Sequence, residues 1–574
     1  QAEDGIRDLV LSLVGSEMCI RDRCSTRSKD MASEAPLFQT RAQQLEKLPP
    51  CQVNCPNTGD VRGWIGIIAQ HEKNGLTLDE AYDRAWETIA ARNPLVASIA
   101  RICPHPCEDN CVRSGKDGSV SINALERFLG DWGISRSLEL PAAEAGQREE
   151  SIGVVGSGPA GLSFAYQMAR RGYRVSIYEQ RAQPGGMLRH AIPEYRLPNE
   201  VLATEIDRLL DLGITLNTEV DIGNVVALDE LRARHTLLFI GIGAQAARHL
   251  CVPGEDGPGV ISGIEYLQRR SEAPESLHGK RVLVFGGGNT AIDAARSARR
   301  DGAHVTVVYR RSENEMPAAK HEVDDARAEG VDFRFLLAPK EIIHTDGKPQ
   351  YVIAQAMKLG APDEQGRRIP VPEDGSTERL AADLVIVAVA QVPDWFGMPE
   401  VLARDAGRSV QADGKLDDGV WVGGDDRGSN IAGAAIAQGR LAAEAAHAEL
   451  SNEPGPAAKS RAAVETDIVR ARWYKGKSRG DLPRRPTDEW LVDPEAEINQ
   501  TIDAQQALAE SERCMSCGLC FDCGQCFMYC NGGGFTRLES TAPGKYFVLA
   551  LDACEGCGKC IEICPCGYLE ARSE

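Results

Sequence analysis

Residues 151–180, SIGVVGSGPAGLSFAYQMARRGYRVSIYEQ, set out a strand, a glycine-rich turn, a helix and a second strand. Gly156, Gly158 and Gly161 make G-x-G-x-x-G. The first glycine permits a tight turn, the second lets a pyrophosphate approach the backbone, and the third lets helix and strand pack closely. Pro159 and Ala160 begin the helix, whose free N–H groups suit phosphates. Glu179, with Gln180 after it, closes the second strand about 20 residues on, where a carboxylate accepts ribose hydroxyls. A tight turn in an unrelated α/β fold would account for the glycines, but not for strands, helix and acid together.

Residues 281–311, RVLVFGGGNTAIDAARSARRDGAHVTVVYRR, repeat the plan. Gly286, Gly288 and Ala291 make G-x-G-x-x-A, with Gly287, Asn289 and Thr290 completing the turn. The second strand ends at Tyr309, and Arg310 and Arg311 stand where the first unit has its acid. An acid suits a free 2′-hydroxyl and arginine a 2′-phosphate, so a nicotinamide nucleotide is expected here, with a lean toward NADP. Read as solvated charges beyond a strand end, the same arginines leave NAD open.

Acid first and basic second predict a flavoprotein with two dinucleotide sites, the nicotinamide domain inserted in the FAD domain. The buried-strand run DLVIVAVAQVPD (383–394) and the strand, turn and Ala-rich helix of 420–446 are expected to return the chain to the first domain. Flavoproteins of this kind place an Asp, here Asp425, on the ribityl chain. The cofactors carry the chemistry, so no catalytic side chain is expected. A disulfide reductase would need a C-x-x-C beside the flavin; Cys251 stands alone and reads as a buried core residue.

The other cysteines cluster at the two ends. CFDCGQCFMYC (520–530) and CEGCGKCIEIC (554–564) share the spacing C-x2-C-x2-C-x3-C, the two-cluster ferredoxin pattern in which each fourth cysteine crosses over. Cys520, Cys523, Cys526 and Cys564 are expected to hold one 4Fe–4S cubane, and Cys554, Cys557, Cys560 and Cys530 the other. A zinc knuckle has no need of three thiolates at that spacing. Cys514, Cys517 and Cys566 are surplus, read as spare thiols, a redox pair or a slip in register. Near the N-terminus, CQVNCP carries Cys51 and Cys55, and RICPHPCEDNC carries Cys103, Cys107 and Cys111. Zinc is the alternative there, since four thiols close a tetrahedral site; iron–sulfur is preferred because the segment leads into a flavin domain.

These N-terminal segments, together with VVGSGPAGL, GGMLRHAIPEYRLP, GGGNTAID, YRRSENEMPA and AIAQGRLAA, resemble the small subunit of glutamate synthase and its relatives from about residue 39 to 449. The resemblance implies FAD contacts that also include Gly186, Met187, Arg196, Gly241, Gly424 and Ala435. The two-cluster version of the N-terminal domain has a further C-x2-C upstream of Cys51, and this chain has none there. One cluster is therefore expected, on Cys55, Cys103 and Cys107, with Glu126, Cys51 and Cys111 competing for the fourth place. Three 4Fe–4S clusters result. With its ferredoxin tail, CMSCGLCFDCGQC and CPCGYLE, the chain is similar to DsrL-type flavoproteins. That implies a redox protein partner, dissimilatory sulfite reductase, with glutamate synthase as the alternative and a non-catalytic cluster scaffold as the rival from another class.

The resulting class is α/β, with two Rossmann-like domains, a helical Fe–S domain and a ferredoxin domain. The expected boundaries are a disordered or artefactual tail 1–35, Fe–S domain 36–145, FAD domain 146–275 and 376–455, nicotinamide domain 276–375, linker 456–512 and ferredoxin domain 513–574. Residues 1–30 resemble translated adapter sequence, and Met31 is the expected start. A net charge of −20 argues against nucleic acid and anionic membranes, and no run has the roughly 20 apolar residues of a membrane span. Cysteines confined to the ends argue against a secreted disulfide framework, so a cytoplasmic protein is expected; a homodimer is compatible with it.

Overall fold

A computed structural model describes residues 41–142, 146–364, 366–395, 412–428, 431–452 and 461–572. The expected tail 1–35 and start at Met31 lie outside these residues.

Strand β1 (Ala42–Gln44) is followed by helices α1 (Val61–Ala69), α2 (Leu78–Ala90), α3 (Val96–Ile102) and α4 (Ile122–Ser135). Asp60 accepts from the Gly63 N–H to start α1, and Thr77 with Glu80 closes a capping box on α2. Helix α4 lies hard against its neighbours because it carries glycines at the crossings. A Cβ added at Gly130 would stand 2.4 Å from Ala97 Cα, and one at Gly133 2.2 Å from Trp86 Nε1. Cys51 and Cys107 sit in four-residue helical turns that begin at Pro50 and Pro106, proline having the φ a first helical residue needs and no N–H to waste.

The first sheet opens with β2 (Ser151–Val155), helix α5 (Pro159–Ala169), β3 (Arg174–Tyr178), β4 (Thr215–Asn217) and β5 (Leu237–Ile240). The chain then builds a second sheet from β6 (Val260–Ser262), β7 (Arg281–Phe285), helix α6 (Asn289–Arg300), β8 (His304–Tyr309), helix α7 (Lys320–Ala328) and β9 (Asp332–Phe335). Three antiparallel strands follow, β10 (Leu337–Thr345), β11 (Lys348–Pro362) and β12 (Arg368–Ala381), before β13 (Leu384–Val387). The parallel order is β9-β8-β7-β13-β6. Strands β14 (Lys415–Asp417) and β15 (Val420–Val422) and helix α8 (Ala432–Ser451) complete the first sheet as β14-β15-β5-β2-β3-β4. The second unit is thus inserted in the first, and Ala246–Ala247 pairs with Gln391–Val392 where the chain crosses.

Three expectations need correction. The run 383–394 does not return to the first sheet: its strand β13 pairs with β6 and β7 in the second. An unbroken apolar strand marks burial on both faces but not which sheet buries it. Strand β6 likewise belongs to the second sheet, although it precedes residue 276. Cys251 is exposed, with φ of 59°, and Glu255 accepts its N–H; it is a loop residue, not core.

Helix α5 is apolar nearly all round because α8 covers the face the sheet leaves free. The two approach closely at Gly439, where a Cβ would stand 2.2 Å from the Ala160 carbonyl.

Residues 461–512, expected as a linker, run as a strap over two other domains. Arg479 pairs with Glu108 at 2.7 Å, Arg484 with Asp325 at 2.7 Å, and Tyr82 donates to the Ala504 carbonyl. Trp490 is buried. The C-terminal module carries the hairpin β16 (Phe535–Ala542) and β17 (Lys545–Leu549), and its last strand β18 (Leu569–Ala571) pairs antiparallel with β1. Lys47 reaches Glu570 at 2.8 Å across the same seam. The cysteine-bearing ends of the chain are therefore one packed region.

Candidate functional site

A cavity of about 430 Å3 lies between the two sheets. Gly156, Gly158, Pro159, Ala160, Glu179, Gln180, Gly186, Met187, Arg196, Gly241, Gly424, Asp425 and Ala435 line it from the first unit. Asn289 and Thr290, at the start of α6, line it from the second. Gly161, Gly286, Gly287, Gly288, Ala291, Arg310 and Arg311 do not.

The turns have the shape a dinucleotide needs. At Gly156 φ is 93° and a Cβ would stand 2.4 Å from the Gly241 carbonyl; at Gly161 it would stand 2.0 Å from the Gly156 carbonyl. At Gly286 the Ala388 carbonyl is 2.2 Å from the same added atom. Gly158 and Gly288 face open space instead, which a phosphate can fill. Glu179 ends β3 buried, accepting the Ser157 N–H at 3.0 Å and the Arg181 N–H at 2.9 Å. Burial pushes the Asp425 carboxyl, in the cavity wall, up to about 6; a polyol chain there would offer it donors. Its neighbour Asp426 is occupied, taking the Ile242 N–H at 3.1 Å.

Arg196, expected on FAD, spends its guanidinium across the domain boundary. It lies 2.7 Å from both oxygens of Asp293 on α6 and 3.0 Å from Glu322 on α7. Removing one member of a buried ion-pair network leaves the others unpaired, at about 3–5 kcal/mol. Arg196→Ala is therefore expected to lower the thermal unfolding midpoint and to release flavin earlier in the melt, followed by flavin fluorescence.

The N-terminal cysteines divide into two groups. Cys103 and Pro104 line the nucleotide cavity. Burial pushes the Cys103 thiol up to about 12, and Glu126 and Cys55 stand close enough to add to the shift. Cys107 is raised by burial and by the same neighbours. Cys55, Cys103, Cys107 and Glu126 are thus one neighbourhood. Cys51 and Cys111 belong elsewhere: with Cys514 and Cys517 they line a separate cavity, beside Arg62 and Arg113. Burial raises the Cys51 thiol, and Cys514, Cys517 and Cys111 raise it further.

In the C-terminal module Cys520, Cys523, Cys526 and Cys564 line one cavity, with Cys566 Sγ 3.8 Å from Cys564 Sγ. Cys530, Cys554, Cys557 and Cys560 line the next. Among the described residues, no group of three or more His, Cys, Asp or Glu is arranged to hold a single metal ion. Gln391 and Asp394, in the cavity wall where the chain re-enters, carry no motif by which the sequence would have marked them. The pair Cys514-x2-Cys517 did carry one: it has the spacing that the N-terminal domain lacks upstream of Cys51.

One nucleotide cradle and the start of the second cradle's helix on one cavity, with a cysteine turn in its wall, define a two-nucleotide flavoprotein of the iron–sulfur electron-transfer class. The chain belongs to the pyridine nucleotide-disulphide oxidoreductase family, whose model matches residues 150–439. Residues 29–138 match dihydropyrimidine dehydrogenase domain II, 4Fe-4S cluster. The chain is 34% identical over 506 residues to the NADP(+)-dependent formate dehydrogenase subunit beta of Moorella thermoacetica, covering 82% of this chain and 70% of that one. It is 36% identical over 364 residues to the NADPH-Fe(3+) oxidoreductase subunit beta of Geobacter sulfurreducens, covering 62% and 53%. With the glutamate synthase [NADPH] small chain of Escherichia coli it shares 31% over 421 residues, covering 69% and 87%. The chain is an FAD-dependent iron–sulfur NAD(P)H oxidoreductase. Its family-matched region contains the single cysteine Cys251.

Proposed function

We propose that the chain carries electrons between NADPH and a protein partner through FAD and 4Fe–4S clusters, and that the partner is dissimilatory sulfite reductase. The observation that carries this reading is the single cavity on which the FAD cradle, the start of α6 and the Cys103 turn all open. Bound FAD supplies the exchange between two-electron hydride chemistry and one-electron cluster chemistry. The chain's residues position and insulate. The turn at Gly156–Gly158 and the N-terminus of α5 hold the pyrophosphate, Glu179 the ribose and Asp425 the ribityl hydroxyls. Asn289 and Thr290 lead the nicotinamide nucleotide toward the flavin, Gln391 donating to Thr290 Oγ1 at 3.2 Å.

Cys55, Cys103 and Cys107 with Glu126, and the two cysteine sets of the C-terminal module, hold the clusters. Beside Cys526 and Cys530, Phe527, Met528 and Tyr529 are each more than half exposed, an apolar surface that suits a docking protein. The ferredoxin tail and its CPCGYLE ending favour a sulfite reductase partner. The match to a glutamate synthase small chain, of which 87% is covered, favours the second reading, a glutamate synthase large subunit. A scaffold would have no use for the open cradle at Gly288.

Arg310 is exposed at the end of β8, whereas Arg311 is buried 3.5 Å from Asp363. Of the two, Arg310 is therefore the cation exposed to meet a 2′-phosphate. Arg310→Ala is expected to raise KM for NADPH by about tenfold, one charge-assisted contact, and to leave KM for NADH unchanged in dye-reduction assays.

The partner is tested by mixing the anaerobic protein with purified siroheme sulfite reductase and following NADPH oxidation on addition of sulfite. Sulfite-dependent oxidation is expected. None with sulfite reductase, together with glutamine-dependent oxidation when a glutamate synthase large subunit is added, would replace this partner with the second.

A further inference from the structure

We propose that Cys51, Cys111, Cys514 and Cys517 together hold an additional 4Fe–4S cluster, shared between the two ends of the chain.

Cys51 and Cys111 come from the N-terminal helical domain, and Cys514-x2-Cys517 from the stretch just before the ferredoxin pattern, yet all four line one cavity. That cavity has a free volume of about 30 Å3, close to that of the two cysteine cavities of the C-terminal module, about 20 Å3 each. Four cysteines lining one cavity, as at each of the two ferredoxin-pattern sites, fit a cubane, which has one cysteine at each iron. No three of them are arranged for one ion.

Charge fits as well. A cubane held by four thiolates is an anion, and an anion buried in protein needs cations or donors near it. Arg62 and Arg113 line the cavity and are each 2% exposed. They also fix the two chain ends to each other. Arg62 donates to the Cys517 carbonyl at 2.7 Å and to the Lys47 carbonyl at 2.6 Å. Arg113 donates to the Arg513 carbonyl at 2.5 Å and to the Lys475 carbonyl at 2.8 Å. The missing upstream C-x2-C is thus supplied from more than 450 residues away, and the seam that β1 and β18 close is what brings it there.

The site also closes a gap. Cys51 and Cys111 each stand four residues from a thiol of the Cys103 group, namely Cys55 and Cys107, while Cys517 stands three residues from Cys520. Four residues span at most about 14 Å. The proposed cluster therefore lies one short peptide step from the flavin-side group and one from the ferredoxin module.

The inference does not depend on which partner receives the electrons, because it is read from metal content. The full chain, purified without oxygen, is examined by native mass spectrometry and by iron and acid-labile sulfide analysis. The expected mass carries four cubanes, about sixteen iron atoms. The double substitution Cys514→Ala, Cys517→Ala is expected to lose about four iron and four sulfide per chain while keeping its flavin, and Cys111→Ala to lose the same amount. A wild-type mass with three cubanes, zinc in place of the fourth, or unchanged iron in the double variant would each overturn the proposal. The wild-type mass decides the matter even if a variant fails to fold.

Discussion

Gly161→Val is expected to yield a chain that purifies largely stripped of flavin but with its iron–sulfur absorbance. The third glycine of the first turn does not line the nucleotide cavity, yet its missing side chain sets the cavity's shape. A Cβ there would lie 2.0 Å from the Gly156 carbonyl and 3.3 Å from Val154 Cγ1. Neither neighbour can give way easily, since one is backbone in a turn at φ 93° and the other is in the middle of β2. Helix α5 must move outward, but α8 blocks it at the Gly439 crossing. Overpacking of this kind costs about 1–3 kcal/mol, and here it displaces the N–H groups that receive the pyrophosphate. Flavin per chain is expected to fall at least about tenfold. The clusters, held by domains outside this sheet, should survive, so the ratio of flavin to iron measures the effect directly. Equal loss of both would show a general folding defect instead.

Cys103→Ser separates flavin reduction from cluster reduction. Cys103 is the cysteine of its group that reaches the nucleotide cavity, held there at the end of α3 with its Sγ accepting the His105 N–H at 3.4 Å. Serine keeps the volume and loses the thiolate, so a cubane at Cys55, Cys103 and Cys107 lacks a ligand on the side facing the flavin. NADPH is expected to bleach the flavin of this variant at the wild-type rate, while the remaining clusters stay oxidised over the same interval. Mixed by stopped flow, the variant should show one fast phase where the wild type shows two. Two unchanged phases would mean that electrons leave the flavin by another route.

What the sequence makes legible here is whatever depends on neighbours within about thirty residues. The turns at Gly156 and Gly286, the acid at Glu179 and the twin ferredoxin spacings are local patterns, and the two turns do join strand to helix. What escapes is whatever depends on a distant partner. Strand β13 is apolar enough for either sheet, and only its pairing with β6 and β7 assigns it. The strap 461–512 has no apolar period to read, because its residues act one at a time: Arg479 on Glu108, Arg484 on Asp325. Arg196 is expected on FAD, and its ion pairs with Asp293 and Glu322, in the other domain, are beyond local reading. Cys251 looks like a core residue because thiols usually are, but Glu255 holds its loop at the surface. Cys514 and Cys517 look surplus so long as the ends of the chain are read apart.

The most direct measurement adds NADPH, and in a parallel experiment NADH, to the oxygen-free protein and follows flavin and iron–sulfur absorbance together. Both chromophores are expected to bleach, flavin first and clusters after it, with NADPH the faster donor. A flavin- and iron-replete sample that bleaches with neither nucleotide would contradict the account.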